Sequence, residues 1–270
     1  MIVLAGGTGR LGTLVARRLA ARGLPLRVLT REPARAAHLA DAATEVVPCD
    51  VRDRAAVLSA TRGAATVVST VHGFTGPGHV SPASVDRGGN ANLVDGAAAA
   101  GADVVLVSVV GASPDHPIDL FRAKDAAERH LRAAGTPWTV VRSTAFVELW
   151  AEILGRGIVP GRGENPINFV SVADVAAAVE RAVVDRDLRG RVIEVGGPRN
   201  LTLNELAASV QRAPGRRASV RHVPRGLLRA LAPFSRQAAA ALAMDTTDMT
   251  FDSRTVEVAP ASFRGDSYRL

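Results

Sequence analysis

The residues with the clearest chemical role are glycines close to the start of the chain. Gly6, Gly9 and Gly12 follow the apolar run 2–5, and the positions after them continue with helical periodicity. In such a strand–turn–helix, the first glycine permits the tight turn, the second lets the backbone approach a diphosphate, and the third lets the helix pack close to the strand. A glycine-rich turn without a ligand is the simpler alternative, but the flanking strand and helix favour a nucleotide site.

The residues about twenty positions beyond the glycines indicate which dinucleotide is bound. NAD-binding chains usually carry an acidic residue at the end of the second strand, whereas NADP-binding chains tend to carry arginine nearby. Here Arg31 follows the strand, Glu32 comes one residue later, and Arg10 lies within the glycine turn. Two guanidinium groups would bind a 2′-phosphate through charge-assisted hydrogen bonds. The alternative is two solvent-exposed arginines in an arginine-rich chain.

We therefore expect NADP(H) to be the preferred cofactor, with NAD(H) as the second choice. Residues near the turn and at the ends of the following strands are expected to surround it. They are Gly6, Thr8, Gly9, Arg10, Leu11, Gly12, Arg31, Asp50, Val51, Thr70 and Ser143.

Lys124 is the only lysine among the 33 basic residues of the chain. Arginine and lysine serve equally well on most surfaces, so a chain that uses arginine elsewhere suggests a special need at this position. A compact ammonium group whose pKa can move is something that a guanidinium does not supply. The alternative is a lysine that stands by chance on an exposed helix. We treat Lys124 as a candidate catalytic residue.

Short aliphatic runs alternate with alanine-rich stretches through the first half of the chain. Nearly continuous hydrophobicity is typical of strands that are covered on both faces, and the intervening helices supply the cover. With right-handed crossovers, the pattern predicts an α/β fold with a Rossmann-like, doubly wound parallel sheet. The predicted strands are Leu26–Thr30, Glu45–Pro48, Thr66–Val71, Asp103–Val109 and Pro137–Arg142.

The regular alternation weakens after residue 142. Strands are predicted at Ile167–Val170 and Val192–Val195, with a helix at Ala176–Val184 between them. A further helix begins at Thr202, where Glu205 completes a capping box. From residue 212 onward we expect a small, mostly helical C-terminal lobe.

Composition limits the class of protein further. At 270 residues and 47% hydrophobic content, the chain has enough apolar residues for a large core. No stretch is apolar for long enough to cross a bilayer, and the first strand begins at residue 2, so we expect no membrane segment and no signal peptide. Cys49 is the only cysteine of the sequence, which rules out an intrachain disulfide and favours a cytoplasmic location.

The formal net charge of +7 is spread along the chain. One denser group of arginines could form a docking face, although a solvated arginine-rich face explains it more simply. Few aromatic residues accompany this group, so we expect no nucleic-acid partner. Histidines and carboxylates lack the spacing of metal ligands, so we expect no metal. The arginine group consists of Arg212, Arg216, Arg217, Arg221, Arg225 and Arg229.

Several segments together resemble a known family. The glycine turn 6–12, Ser108 on the fifth strand, Lys124 on the following helix, and the segments 138–142 and 165–176 are similar to those of the atypical short-chain dehydrogenases, in the NmrA-like, NAD(P)-binding branch. The resemblance extends to about residue 204. It implies the fold and the cofactor, and it says little about the substrate.

The resemblance also implies a domain organisation. The whole chain, 1–270, is expected to form a single NAD(P)-binding domain of the extended type. Within it we expect a dinucleotide-binding core at 1–144, an interleaved substrate lobe at 145–252 and a tail at 253–270.

The chain departs from the family at one catalytic position. Reductases of the family commonly place a tyrosine four residues before the lysine, but this chain has Leu120 followed by Phe121, and its only tyrosine is Tyr268. The resemblance implies that Lys124 binds the nicotinamide ribose and places positive charge beside the hydride-transfer site. Ser108 would hydrogen-bond the substrate oxygen on which negative charge develops, unless it is a strand-end serine whose hydroxyl is satisfied within the protein. The missing phenol argues against ordinary alcohol–ketone chemistry.

Further candidates follow the predicted strands. His72 comes after the fourth strand, at the sheet edge where ligands bind, and would donate a proton or bind the nicotinamide, unless it is a solvated loop histidine. Several aromatic residues are candidates for an apolar substrate pocket, although core packing explains them more simply. The pocket candidates are Phe74, Phe121, Phe146, Trp150 and Phe169.

The expected function is an NADPH-dependent oxidoreductase that transfers hydride to a small, largely apolar electrophile. A quinone, a conjugated carbonyl or an imine-like acceptor needs little help from a phenolic acid. The alternative is an NAD(P)-sensing regulatory protein without turnover, since loss of the tyrosine is compatible with that role. The expected partner is a small-molecule substrate, and the expected state is a monomer or homodimer.

Overall fold

The computed structural model describes residues 1–40, 43–76, 79–211 and 220–252. The chain divides into two units. The first consists of Met1–Arg142 and Ala173–Glu194, and the second consists of Ser143–Val172 and the chain from Val195 onward.

A seven-stranded parallel sheet with the order β10-β6-β5-β4-β1-β2-β3 forms the centre of the first unit. Ile2 pairs with Leu26 on one side and with Thr66 on the other, so β1 lies between β2 and β4. The strand order reverses at this point, and ligands of such sheets bind outside the carboxyl ends of the strands. The strands are β1 (Ile2–Ala5), β2 (Leu26–Thr30), β3 (Thr44–Pro48), β4 (Thr66–Ser69), β5 (Asp103–Val109), β6 (Trp138–Ser143) and β10 (Arg191–Val195).

Helices connect these strands, as the alternating sequence pattern predicts. Three connections also contain other helical forms: 3₁₀ helices at Pro33–Leu39 after β2 and at Arg186–Leu188 before β10, and a π-helical segment at Pro82–Gly89 after β4. The α-helices of this unit are α1 (Arg10–Ala21), α2 (Arg54–Ala60), α3 (Asn90–Ala100), α4 (Asp119–Ala133) and α6 (Val172–Val184).

Burial explains why these segments form strands and helices. All four residues of β1 are buried, because helices cover both faces of the sheet. On α1, Val15 and Leu19 are fully buried at helical spacing. Glu180 of α6 receives hydrogen bonds from Arg18 and Arg22 of α1, which ties the last helix of this unit to the first.

The second unit contains two small sheets and four α-helices among the described residues. One sheet has the order β11-β9-β7, and the other pairs β12 with β8. Phe169 is fully buried in its core, with Leu154 and Leu206. The elements are β7 (Ala145–Phe146), α5 (Val147–Leu154), β8 (Ile158–Pro160), β9 (Ile167–Val170), β11 (Asn200–Leu201), α7 (Leu203–Gln211), β12 (Arg221–Val223), α8 (Arg225–Leu231) and α9 (Arg236–Met244).

Most strands fall where the sequence predicts them. Leu26–Thr30, Asp103–Val109 and Ile167–Val170 have the predicted bounds, and the other predicted strands differ by one or two residues at their ends. The capping box is also confirmed: Glu205 accepts from the N–H of Thr202 at 2.8 Å, and the hydroxyl of Thr202 accepts from the N–H of Glu205 at 3.1 Å.

The division into units differs from the predicted core and lobe in two segments. Ser143 and Thr144, expected in the core at 1–144, belong to the second unit. Residues 173–194, expected in the lobe at 145–252, belong to the first unit because β10 extends its sheet beside β6. The predicted tail 253–270 lies outside the described residues. The same holds for Arg212, Arg216 and Arg217 of the arginine group.

Candidate functional site

Gly6 opens the turn between β1 and α1 in a conformation that suits glycine. Its φ is +85°, and a Cβ there would lie 2.7 Å from Oγ1 and 2.9 Å from the carbonyl carbon of Thr70. Thr70 is held in place because its N–H and its hydroxyl both donate to the carbonyl oxygen of Ala5, at 3.0 and 2.9 Å. The turn therefore runs against the end of β4 without room for a side chain at Gly6.

Gly12 sets how closely α1 approaches the turn. A Cβ there would overlap the carbonyl oxygen of Gly6 and would lie 2.7 Å from the carbonyl carbon of Gly6 and 2.8 Å from the Cα of Gly7. The side chain of the neighbouring Leu11 is buried. Leu11 therefore offers only its backbone to a ligand, which refines the prediction that it lies at the cofactor.

The first turn of α1 suits an anion. Gly9 caps the helix without a side-chain hydrogen bond, and the first turn contains no acidic residue. N–H groups at the start of a helix lack intrahelical acceptors, and the helix dipole favours negative charge there. Thr8 is half-buried in the turn, and Gly9 and Arg10 are exposed. Together with the side-chain-free Gly6 and Gly12, this arrangement fits the diphosphate of a dinucleotide.

The end of β2 presents arginine at the surface. Arg31 is exposed, and the carboxylate of the exposed Glu32 lies 3.7 Å from Nη1 of Arg35. The backbone there is ordered by Thr30, whose Oγ1 accepts from the N–H of Glu32 at 3.1 Å. No acidic residue occupies the last position of the strand, so the arrangement is compatible with a 2′-phosphate.

Asp50, predicted beside the adenine, has a partner within the protein. Arg52 binds both of its oxygens, the closest contact being 2.6 Å. The hydrogen bond from Arg52 lowers the pKa of Asp50, with burial opposing it. Val51 is half-buried and its carbonyl oxygen accepts from Nδ2 of Asn92 at 2.9 Å. Contact of Asp50 and Val51 with the cofactor stays a prediction.

In the structure, the ammonium group of Lys124 is bound by protein atoms. Its side chain is only 5% exposed, and Nζ donates to the carbonyl oxygens of Val71 at 2.9 Å and Val107 at 3.1 Å. Nζ also lies 3.0 Å from Oδ1 of Asp86, whose side chain is fully buried. To bind a ribose, as predicted, the ammonium would have to leave these partners.

Ser108 also donates within the protein. Its hydroxyl donates to Oε1 of Glu128 at 2.6 Å, and both residues are buried. The carboxylate of Glu128 also accepts hydrogen bonds from Nε and Nη2 of Arg142, at 2.9 and 2.8 Å. Burial raises the pKa of Glu128, but the hydrogen bonds from Arg142 and Ser108 outweigh it, so the pKa is lowered. This differs from the expected contact between Ser108 and a substrate oxygen.

His72 follows β4 at the carboxyl edge of the sheet, as predicted. The residue is exposed, yet protein atoms around the ring are dense enough that burial lowers its pKa below 6.5. The carboxylate of Asp86 opposes this decrease, and the ammonium of Lys124 adds to it. The imidazole is therefore mainly neutral at pH 7.

The aromatic candidates of the first unit have separate surroundings. Phe121 stacks on His116, with ring centroids 3.9 Å apart and planes inclined by 6°. Burial lowers the pKa of His116. Phe74 is half-buried in the segment after His72. Whether Phe74 and Phe121 contact a substrate stays a prediction.

In the second unit, one pocket prediction is corrected. Phe169 is fully buried, and Trp150 packs edge-on against it at a centroid distance of 6.5 Å. Phe169 is thus a core residue, because β9 places it in the hydrophobic cluster that includes residues of α5 and α7. Trp150 and Phe146 are half-buried, and Ser143 is buried at the end of β6.

Sequence reasoning missed Asp86 and Glu128, the buried carboxylates that bind two of the three predicted catalytic residues, Lys124 and Ser108. Asp86 lies 38 positions before Lys124 and Glu128 lies 20 positions after Ser108, so local spacing gives no signal of either pair. The unusual burial of two carboxylates appears only once the fold is known.

Two absences concern the described part of the chain. None of its helices has the length and apolar character needed to cross a membrane. Among these same residues, no group of three or more histidines, cysteines and carboxylates is placed to hold a metal ion.

The doubly wound sheet and the anion-binding turn at the start of α1 define a dinucleotide-binding α/β protein. A family model described as NAD(P)H-binding matches residues 6–186. The chain therefore belongs to the NAD(P)H-binding family, within the atypical, NmrA-like short-chain dehydrogenases, as the sequence resemblance predicts.

Two similar proteins are named as reductases. A (4-alkanoyl-5-oxo-2,5-dihydrofuran-3-yl)methyl phosphate reductase of Streptomyces griseus is 34% identical over 223 residues, which cover 80% of this chain and 74% of that protein. An NAD(P)H azoreductase of Xenophilus azovorans is 27% identical over the same shares of the two chains.

A similar solved structure is that of an oxidoreductase. The NADPH-dependent quinone oxidoreductase of Escherichia coli, in complex with NADPH, has a TM-score of 0.76 and 25% identity, and the match covers 95% of this chain and 93% of that one. The protein is accordingly an NAD(P)H-dependent oxidoreductase of the atypical short-chain type.

Proposed function

We propose that the protein uses NADPH to reduce a small, largely apolar electrophile: a quinone, a conjugated carbonyl or an imine-like acceptor. The observation that carries the proposal is the turn between β1 and α1, which has no space for side chains at Gly6 and Gly12 and no acidic residue in the first helical turn. NADPH bound there supplies the hydride.

The absence of a phenol supports the acceptor class. Leu120 and Phe121 stand where related reductases commonly have tyrosine, and Phe121 stacks on His116. Quinones and conjugated carbonyls spread the charge that the hydride brings, so they depend less on a strong proton donor. The Streptomyces griseus relative is named for a conjugated alkanoyl-oxo-dihydrofuran that also carries a methyl phosphate group, and the Xenophilus azovorans relative is named an azoreductase.

His72 is the proposed proton donor. It lies at the carboxyl edge of the sheet and is exposed, and because its pKa is lowered only a minor imidazolium fraction, which grows as the pH falls, is available to donate a proton. The acceptor gains the hydride on one atom and, on another, a proton from the imidazolium form of His72, which becomes the neutral imidazole. Solvent then returns a proton to the ring.

The cofactor preference follows from the charge at the end of β2. Arg31 and Arg10 are exposed and no acidic residue ends the strand. We expect NADPH to bind at least ~10-fold more tightly than NADH, and Arg31→Gln to reduce this ratio to about threefold. The exposed Arg35 provides a matched control, since Arg35→Gln should leave the ratio unchanged. Equal dissociation constants in the unmodified protein would contradict the preference.

The direct test is NADPH oxidation with a panel of acceptors. Absorbance at the reduced nicotinamide band should fall with a quinone, an α,β-unsaturated ketone or an azo compound, and should stay constant with simple aliphatic ketones. If NADPH binds but no acceptor in the panel is reduced, the proposal fails and the alternative of an NAD(P)-sensing regulator is favoured.

The pH dependence tests His72 separately. Because its pKa lies below 6.5, the imidazolium fraction rises as the pH falls, so kcat should increase from pH 8 toward pH 5.5. The variant His72→Gln should lose this rise. An unchanged pH profile in His72→Gln would remove His72 from the proton transfer.

A further inference from the structure

The two peptide groups that flank His72 are both held by one buried ion pair. On the N-terminal side, the carbonyl oxygen of Val71 accepts from Nζ of Lys124 at 2.9 Å. On the C-terminal side, the N–H of Gly73 donates to Oδ2 of Asp86 at 2.7 Å. Oδ1 of Asp86 lies 3.0 Å from the same Nζ and closes the loop of contacts.

The pair has little access to solvent. The side chain of Asp86 is fully buried and that of Lys124 is 5% exposed. Removing two charges from water costs about as much as their attraction returns, so a buried ion pair contributes little net stability. Its consequence is instead geometrical, because each charged group directs hydrogen bonds to chosen backbone atoms. Lys124 also binds the carbonyl oxygen of Val107 at 3.1 Å, which ties the segment after β4 to β5.

The segment that carries Asp86 has an unusual backbone. Asp86 lies within the π-helical segment Pro82–Gly89, and π-helical turns occur frequently at functional sites. A second contact fixes this segment: Nδ2 of Asn90 donates to the carbonyl oxygen of Asp86 at 2.7 Å, and Oδ1 of Asn90 accepts from Oγ of Ser69 at 2.5 Å. The backbone at Asp86 is thus tied through Asn90 to Ser69 of β4.

Gly73 allows the close approach that this arrangement needs. A Cβ at Gly73 would overlap the carbonyl oxygen of Ser81 and lie 2.8 Å from Cβ of Val85. The segment after β4 therefore packs directly on the start of the π-helical segment. His72 is the one residue between the two clamped peptide groups, and it alone of the three residues 71–73 is exposed.

We propose that Asp86 and Lys124 are positioning residues, whose contacts with the peptide groups on either side of His72 hold its imidazole in place for proton transfer. This inference rests on the proposed function, in which His72 donates the proton. It assigns Lys124 an indirect role through His72, instead of direct contact with the nicotinamide ribose.

A double-mutant cycle distinguishes the two roles of Lys124. If Lys124 acts through His72, Lys124→Met should lower kcat at least ~10-fold in the unmodified protein but less than ~2-fold in the His72→Gln variant. The dissociation constant of NADPH should change less than ~3-fold. An equal loss of kcat in both backgrounds, or a large loss of NADPH affinity, would overturn the proposal in favour of direct contact.

Lys124→Met leaves Asp86 buried without a partner, so a neutral pair provides a second variant. In Asp86→Asn with Lys124→Gln, the amides can hydrogen-bond to each other, to the N–H of Gly73 and to the carbonyl oxygen of Val71. We expect this double variant to fold and to retain more than about a third of kcat. Arg129→Met, on the exposed face of α4, is the matched control and should leave kcat unchanged. A folded neutral pair as inactive as Lys124→Met would contradict the positioning role.

NMR titration of the protein without cofactor gives a readout that does not depend on turnover. The ring signals of His72 are assigned by their loss in His72→Gln. Because Asp86 raises its pKa and Lys124 lowers it, Asp86→Asn should shift the pKa of His72 down and Lys124→Met should shift it up. Shifts of the same sign, or none, would overturn the proposal. If the pKa shifts are found while no acceptor is reduced, the contacts of Asp86 and Lys124 beside His72 are supported and the proposed function fails.

Discussion

A methyl group at position 12 provides a sharp test of the turn between β1 and α1. In Gly12→Ala, the added Cβ would overlap the carbonyl oxygen of Gly6 and come within 2.7 and 2.8 Å of two further backbone atoms of Gly6 and Gly7. None of these atoms belongs to a flexible side chain. The start of α1 must therefore move away from β1, and the N–H groups of its first turn move with it.

The expected loss of stability follows from two opposing effects. Overpacking of a well-packed site costs about 1–3 kcal/mol, and contact with backbone atoms places this case at about 3 kcal/mol. Replacing glycine by alanine within a helix returns about 1 kcal/mol. The net loss is about 2 kcal/mol, which corresponds to a decrease in Tm of about 4–8 °C for a chain of this size.

Gly9→Ala is the matched comparison in the same turn. Gly9 has φ −80° and ψ 166°, which alanine adopts without strain, and a Cβ there would contact only the carbonyl oxygen of Gly6, at 3.3 Å. We expect its Tm to fall by less than about 4 °C, from a weaker N-cap. NADPH affinity should still fall at least ~10-fold, because the methyl group blocks the approach of the diphosphate.

Differential scanning fluorimetry and fluorescence titration with NADPH measure the two effects separately. Gly12→Ala should lose both stability and affinity, whereas Gly9→Ala should lose mainly affinity. A Gly12→Ala variant that melts within 1 °C of the unmodified protein would refute the steric reasoning. Unchanged NADPH affinity in Gly9→Ala would refute the position of the diphosphate.

Two further predictions concern stability. Burial raises the pKa of Glu180, but hydrogen bonds from Arg22 and Arg18 outweigh it, so the pKa in the folded state lies below its ordinary value. The ionised carboxylate therefore stabilises the folded state at pH values above the ordinary pKa, and this stabilisation is lost as the pH falls through the folded-state pKa. Glu180→Gln should therefore cost about 1 kcal/mol in urea unfolding at pH 7 and much less at pH 3.5, whereas an equal cost at both would contradict the ionic origin. Glu205→Ala removes the capping box with Thr202 and should lower the free energy of unfolding by about 1 kcal/mol in the same urea assay. An unchanged free energy of unfolding would show that the cap does not stabilise the helix.

The strands and the glycine turn could be predicted from the sequence because their signals are local. The continuous apolar run of β5, Asp103–Val109, has the bounds expected of a strand covered on both faces. Similarly, the spacing of Gly6, Gly9 and Gly12 is typical of a tight turn followed by a closely packed helix. Neither inference needs knowledge of residues far away in the chain.

The candidate site was less predictable because its contacts connect distant segments. The scarcity of lysine singled out Lys124, but its partner Asp86 becomes a neighbour only through the π-helical segment after β4. Phe169 shows the opposite failure: an aromatic residue near a predicted site looks like a pocket wall, and only the burial of β9 shows it to be core. Periodicity does not distinguish the two cases.

The late return of the chain to its first unit has a consequence for biosynthesis. β6 is complete at Ser143, but its neighbour β10 begins at Arg191, roughly 50 residues later. At about 5–20 residues per second, a ribosome needs about 2–10 s to deliver the missing strand. During that interval the outer edge of β6 has unsatisfied backbone groups that attract other nascent chains. A fragment released at residue 144 would keep that edge permanently and aggregate.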